Sequence, residues 1–134
     1  MNEFGRLGLP GLPTSVSRRI VDRTAGKRMR SYLPLVGVDE GTIAGVERAT
    51  KDLLESLDVH FGHHAFLLGD RPCLGDFALF GQLWAHLYRD VGTTQLFDEH
   101  ERLRRWILAM ENPSPKPGSF LEGDVVPATL EPLL

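Results

Sequence analysis

An all-α fold follows from three features of the sequence. Apolar residues recur at helical spacing in four stretches, no stretch alternates as a half-buried strand would, and Gly, Pro and hydroxyl residues gather where one periodic segment gives way to the next. With 134 residues, 42% hydrophobic and 25% charged, the chain can build one globular domain with a sizeable core but not two. The expected arrangement is a helical bundle over residues 14–113 around a buried central helix. A flexible Gly/Pro lead (1–13) would precede it, and a loop with the start of a truncated helix (114–134) would follow.

The first helix is expected after Thr14-Ser15-Val16-Ser17, whose hydroxyls can accept from orphan backbone N–H groups. Val16, Ile20, Thr24, Met29 and Leu33 then form one stripe and Arg19, Arg23, Lys27 and Arg30 another, an amphipathic basic helix that falters at Pro34 and Gly37. Val38 to Thr42 reads as a turn with Thr42 as the next cap. A second helix follows from Ile43 to Phe61, with Ile43, Val46, Leu53, Leu54, Leu57 and Phe61 opposite Glu47, Lys51, Asp52, Glu55 and Asp58, and Gly62 ending it. Ala65 to Pro72 is an apolar connection closing on a polar turn.

Phe77 to Tyr88 contains no Asp, Glu, Lys or Arg. A helix apolar on nearly every side is expected to lie inside the domain, with His86 as a core histidine hydrogen-bonded to Asp90. Leu103, Trp106, Ile107 and Met110 give a last amphipathic helix, stopped at Asn112-Pro113. Pro127 to Leu134 resembles an opening helical turn capped by Thr129. An exposed Leu-Leu end with nothing to pack suggests a piece of a longer polypeptide.

Composition narrows the function. Residues 1–36 carry seven basic and two acidic side chains and the remainder eight and sixteen, so a front of +5 precedes a stretch of −8. The overall charge of −3 and the scarcity of stacking aromatics beside Arg19, Arg23, Lys27 and Arg30 argue against a nucleic-acid partner. No apolar run is long enough to span a membrane, and no secretory leader is legible, which fits the cytoplasm. One cysteine allows neither an internal disulfide nor a thiolate cage. His60, His63 and His64 lie close together, but no carboxylate completes a metal signature, and solvated or capping imidazoles are expected there. Phosphate loops, nucleophile elbows and dinucleotide fingerprints are absent, so no residue is assigned as catalytic, cofactor-binding or metal-ligating.

One local motif does carry a mechanism. Cys73 precedes Asp76 by three residues at the start of the apolar helix, the spacing of a capping box, in which the carboxylate reaches back to the cap residue's N–H. Cys73 and Asp76 are therefore read as a structural N-cap. The functional alternative, Cys73 as a low-pKa nucleophile or redox sensor at a helix N-terminus, is the weaker reading because no His or second Cys lies beside it in sequence.

The run FLLGDRPCLGDFALF from Phe66 to Phe80, continuing through Trp84 and His86 to Asp90, resembles the C-terminal helical domain of glutathione S-transferases. In that family the central helix opens with a Ser/Thr-x-x-Asp box after a Gly-Asp-x-Pro turn. Here Gly69-Asp70-Arg71-Pro72 and Asp76 match, and Cys73 stands where the family has a hydroxyl. The run from Leu103 through Trp106 to Pro113 is similar to a later helix of the same domain. The resemblance implies an all-α, transferase-type bundle over about residues 42–113. It also implies a missing thioredoxin-like domain, N-terminal in the family, which binds glutathione and supplies the thiol-activating residue. This domain would then contribute a wall for an apolar electrophile, be inactive alone, and pair as a homodimer through its first two helices. The rival implication is a non-catalytic protein–protein interaction module, since similar helical domains serve as assembly units.

Overall fold

The computed structural model describes residues 10–90, 92–112, 118–123 and 125–134, and these form two compact units that part between Arg48 and Ala49. The lead expected over residues 1–13 lies outside the described residues except for its last four. Among the described residues there is no strand and about two thirds are helical, as the sequence predicts.

In the first unit α1 (Thr14–Val21), a π-helical turn (Asp22–Gly26) and α2 (Lys27–Arg30) follow one another with helical dihedrals at each junction. The widened turn has a local cause. Thr24 donates its hydroxyl to the Ile20 carbonyl at 2.8 Å, competing for an acceptor that the α-helical ladder would use. The expected hydroxyl cap is not what starts α1: Pro13 occupies the N-cap and accepts from the Val16 and Ser17 N–H groups, while Ser17 donates its hydroxyl to the Thr14 carbonyl. A 3₁₀ turn (Leu33–Val36) ends at Gly37 with φ +78°, a conformation that favours glycine. The Asp39 carboxylate then accepts from the Gly41 and Thr42 N–H groups. The Thr42 hydroxyl bonds back into this turn, donating to the Gly37 carbonyl and accepting from the Asp39 N–H, both at 2.8 Å. The apolar stripe is present but uncovered, with Val16, Ile20, Met29, Leu33, Leu35 and Val36 all exposed.

The second unit holds the core. Leu54 and Leu57 from α3 (Ile43–His63) meet Leu103, Trp106, Ile107 and Met110 from α5 (Glu101–Glu111), with Phe97 and Leu83 closing the cluster. Each such side chain contributes roughly 1.5–3 kcal/mol by leaving water. Phe61 stacks on Trp106 at 4.5 Å between ring centroids. The expected i, i+3, i+4 pattern works as read on α5 and, on α3, from Leu53 to Phe61, whereas Ile43 and Val46 at the start of α3 are exposed and lie outside that core. Asp58, which the pattern placed on the polar face of α3, has a further role. Its Oδ1 accepts from the Arg102 and Leu103 N–H groups at 2.8 and 2.9 Å, so α3 caps the N-terminus of α5 from outside.

The segment expected to form a buried central helix is α4 (Leu74–Gln82) continued by a π-helical stretch (Leu83–Tyr88). Its burial is one-sided. Asp76 and Leu83 are buried and Leu79, Phe80, Trp84, Leu87 and Tyr88 partly so, whereas Leu74 is 85% and Phe77 51% exposed. The core cluster of this unit lies against one face, and an apolar composition alone does not tell which sides a neighbour covers. His86 lies on the uncovered side and is exposed, so it is not the expected core histidine. Asp90 instead accepts from the Gly92 N–H, which holds its carboxyl below the usual range.

Candidate functional site

The site begins at the tight turn after α3. Phe66 donates its N–H to the Gly69 carbonyl at 2.8 Å, and Gly69 returns its own N–H to Phe66 at 3.3 Å. Gly69 has φ +120°, and a Cβ there would lie 2.9 Å from the Ser119 oxygen, so both conformation and space demand glycine. The C-terminal tail runs alongside this turn. Asp70 donates its N–H to the Ser119 carbonyl at 3.0 Å, and Leu121 donates its N–H to the Leu68 carbonyl at 2.9 Å. Gly118 permits the approach, since a Cβ on it would run into the Asp70 carbonyl.

Turn and tail together flank an open surface cavity of about 520 Å³, lined by Leu68, Cys73, Phe120, Leu121, Val125 and Val126. That size falls within the range of small-molecule sites. Arg71 lies at the rim with its guanidinium carbon 5.4 Å from the centre of the Phe120 ring, a cation–π contact.

Beneath the cavity is the sequence-predicted pair. Asp76 is fully buried and its carboxylate accepts three N–H groups: Leu67 and the Trp106 indole on Oδ1 at 3.0 and 3.2 Å, and Cys73 on Oδ2 at 2.9 Å. Cys73 occupies the N-cap of α4 in an extended conformation, and its sulfur faces the Asp76 N–H, closing the box. The Cys73 thiol is pushed up, first by burial and then by its hydrogen bond to the Asp76 side chain. A thiol so placed is held protonated, the opposite of what a nucleophile at a helix N-terminus needs.

The far end of the tail is tied to α3. His60 is fully buried rather than solvated: its Nε2 donates to the Phe66 carbonyl at 3.3 Å, so Nδ1 is the acceptor for the Thr129 hydroxyl at 2.7 Å. Thr129 thus holds His60 and does not cap the 3₁₀ turn Ala128–Leu133, where Pro127 sits at the N-cap. Burial pushes the His60 imidazole down, and the neighbouring His64, 5.0 Å away between ring centres, works in the same direction. Both ring nitrogens of His60 are thereby committed to protein partners, and among the described residues no group of three His, Cys, Asp or Glu side chains converges as a metal site would require. His63 is exposed at the end of α3.

The structure thus joins Cys73 and Asp76, adds Arg71, His60, Thr129 and the tail, and leaves Arg19, Arg23, Lys27 and Arg30 exposed on the first unit. Sequence spacing finds the capping box because both partners lie within one turn. It misses Arg71, whose cue is Phe120, a distant partner in the chain. No helix among the described residues is long and apolar enough to cross a membrane. In comparison with known proteins, the family model "Glutathione S-transferase, C-terminal domain" matches residues 40–109, just over half of the chain. No curated protein and no solved structure matches it.

Proposed function

Because the chain belongs to the glutathione S-transferase C-terminal domain family, we propose that it is the apolar-ligand domain of a transferase-like protein, not catalytic by itself. The observation that carries this reading is the cavity between turn and tail, whose lining side chains are apolar apart from one thiol. A compound with a hydrophobic body gains roughly 25 cal/mol for each Å² of apolar surface it removes from water there. Glutathione itself does not fit that lining. A tripeptide with two carboxylates and an ammonium group needs several charged or polar partners, and among the described residues the cavity's lining carries no charged side chain.

Glutathione and the group that ionises its thiol therefore belong, in this reading, to a thioredoxin-like domain outside this chain. The helical domain would hold the apolar partner close to that thiol, the positioning contribution to a two-substrate reaction. Cys73 supports the division of labour, since its thiol is pushed up and would not substitute for an activated one. The test is turnover of glutathione with a chloronitrobenzene by the 134-residue chain. The expected rate equals that of the uncatalysed reaction, and catalysis above it would overturn the proposal.

A second reading, a non-catalytic protein–protein interaction module, is favoured by the uncovered stripe Val16, Ile20, Met29, Leu33, Leu35 and Val36. A protein partner copurifying at fixed stoichiometry, together with no saturable uptake of small apolar compounds, would put it first.

A further inference from the structure

The first unit turns its apolar residues outward. From Thr14 to Arg30 the backbone stays helical, and the residues buried there are Ser17 and Gly26, whereas Val16, Ile20 and Met29 are exposed. The 3₁₀ turn that follows holds Leu35 and Val36 at 80% and 74% exposure. So many aliphatic side chains in one short stretch mark a surface that meets an apolar phase. Cations border them. Arg19 lies three residues after Val16 and Arg23 three after Ile20, so each of these apolar side chains has a guanidinium neighbour at helical spacing. Arg18, Arg19, Arg23, Lys27, Arg28 and Arg30 are all exposed, and the one carboxylate from Thr14 to Val36 is Asp22, 3.8 Å from Arg18. Arg28 donates its Nε–H to the Tyr32 hydroxyl at 3.2 Å, which sets an amphipathic ring beside the basic stretch.

We propose that the first unit binds the surface of an anionic lipid bilayer, with Val16, Ile20, Leu35 and Val36 at the acyl boundary and Arg19, Arg23 and Lys27 on the headgroup phosphates. A basic amphipathic helix too short in apolar length to span lies in the interface in this way. Long Arg and Lys stems bury their methylenes along the apolar layer while their charged heads reach the phosphates. A fluid layer also accepts apolar side chains spread over a helix and the turn after it, whereas a folded protein partner needs a surface shaped to both, with carboxylates opposite the cations. The chain as a whole carries −3, so attraction to an anionic surface must come from this local excess of cations and not from net charge.

The experiment is cosedimentation of the full chain with vesicles of equimolar phosphatidylcholine and phosphatidylserine, and with vesicles of phosphatidylcholine alone. The mixed vesicles are expected to bind about tenfold or more tightly than the neutral ones, and added salt should erode the difference. Arg19→Gln together with Arg23→Gln should weaken binding to the mixed vesicles about tenfold, and Leu35→Gln together with Val36→Gln should weaken it by about as much while leaving the remainder salt-sensitive. All four positions are exposed, so both variants should keep the circular dichroism spectrum of the parent chain. Arg104→Gln with Arg105→Gln removes the same charge from exposed positions of the second unit and should leave binding unchanged. No sedimentation with the mixed vesicles, unchanged binding in either first-unit variant, or an equal loss in the Arg104 and Arg105 variant would overturn the proposal. A soluble protein partner whose capture requires Leu35 and Val36, with no binding to either vesicle, would overturn it in favour of a protein on the same face.

Discussion

Asp76 is the residue on which the second unit's architecture converges, and its replacement gives the sharpest test of the structure. Three N–H groups from three different places end on one carboxylate: the turn at Leu67, the N-cap at Cys73 and the indole of Trp106 on α5. In Asp76→Ala all three lose their acceptor in a region where Asp76 itself is 0% exposed, so water cannot readily take its place. An orphaned buried donor costs about 1–3 kcal/mol. Allowing for partial relaxation, the loss should total about 3–5 kcal/mol, a large share of the 5–15 kcal/mol typical of a domain. With a urea slope of about 2 kcal/mol/M, the unfolding midpoint should fall by about 2 M.

Asp76→Asn separates this account from a simple effect of side-chain size. An amide oxygen can replace Oδ1 and keep the Leu67 and Trp106 donors, but the amide nitrogen then confronts the Cys73 N–H, donor against donor. One bond of three is lost, so the cost should be about 1–3 kcal/mol, clearly below that of alanine. Urea titrations followed by far-ultraviolet circular dichroism and tryptophan fluorescence give both numbers. If Asp76→Ala costs less than about 1 kcal/mol, or Asn costs as much as Ala, the carboxylate is not the shared acceptor described here.

Two further outcomes follow from the turn and the tail. His60 is neutral in the folded chain because burial lowers its pKa, while in the unfolded chain it titrates near about 6.5. Below that pH the unfolded state binds the extra proton first, so stability should be constant above it and decline as pH falls toward the folded-state value, and His60→Gln should flatten this decline in urea midpoints measured from pH 7.5 to 5.5. Gly69→Ala combines a φ of +120° with a 2.9 Å approach to the Ser119 oxygen and should cost about 1–3 kcal/mol. Gly45→Ala, in α3 with nothing within 4 Å, should instead stabilise by up to about 1 kcal/mol, and midpoints moving in the same direction would contradict the strain argument.

What was legible in the sequence was whatever acts within one or two helical turns. The stripes of α3 and α5 are periodic over their length, so Leu54, Leu57, Leu103, Trp106, Ile107 and Met110 could be assigned to a core before any contact was known. The Cys73–Asp76 spacing is equally local. Asp58 and His60 lay beyond reach because their partners, Leu103 and Thr129, are distant in the chain and an acidic or imidazole side chain on a helix has many uses. The apolar stretch from Phe77 to Tyr88 misled in the opposite way. Composition implied enclosure on all sides, yet burial of Leu83 beside the exposure of Phe77 shows that the neighbours in this unit cover one side.

The tail explains why the candidate site is absent from any motif. Phe120, Leu121, Val125 and Val126 supply most of the cavity's lining, and none of them has chemistry that would mark it in a sequence. They matter because backbone hydrogen bonds from Asp70 and Leu121 fix the register of the tail against the turn at one end, while Thr129 on His60 fixes it at the other. The wall of the cavity is therefore held by groups outside the cavity, and a ligand that requires the wall must also favour the docked tail. On the proposed apolar-ligand reading, binding and tail docking are two faces of one equilibrium, so a change that loosens His60 from Thr129 should weaken the ligand without touching a residue that contacts it.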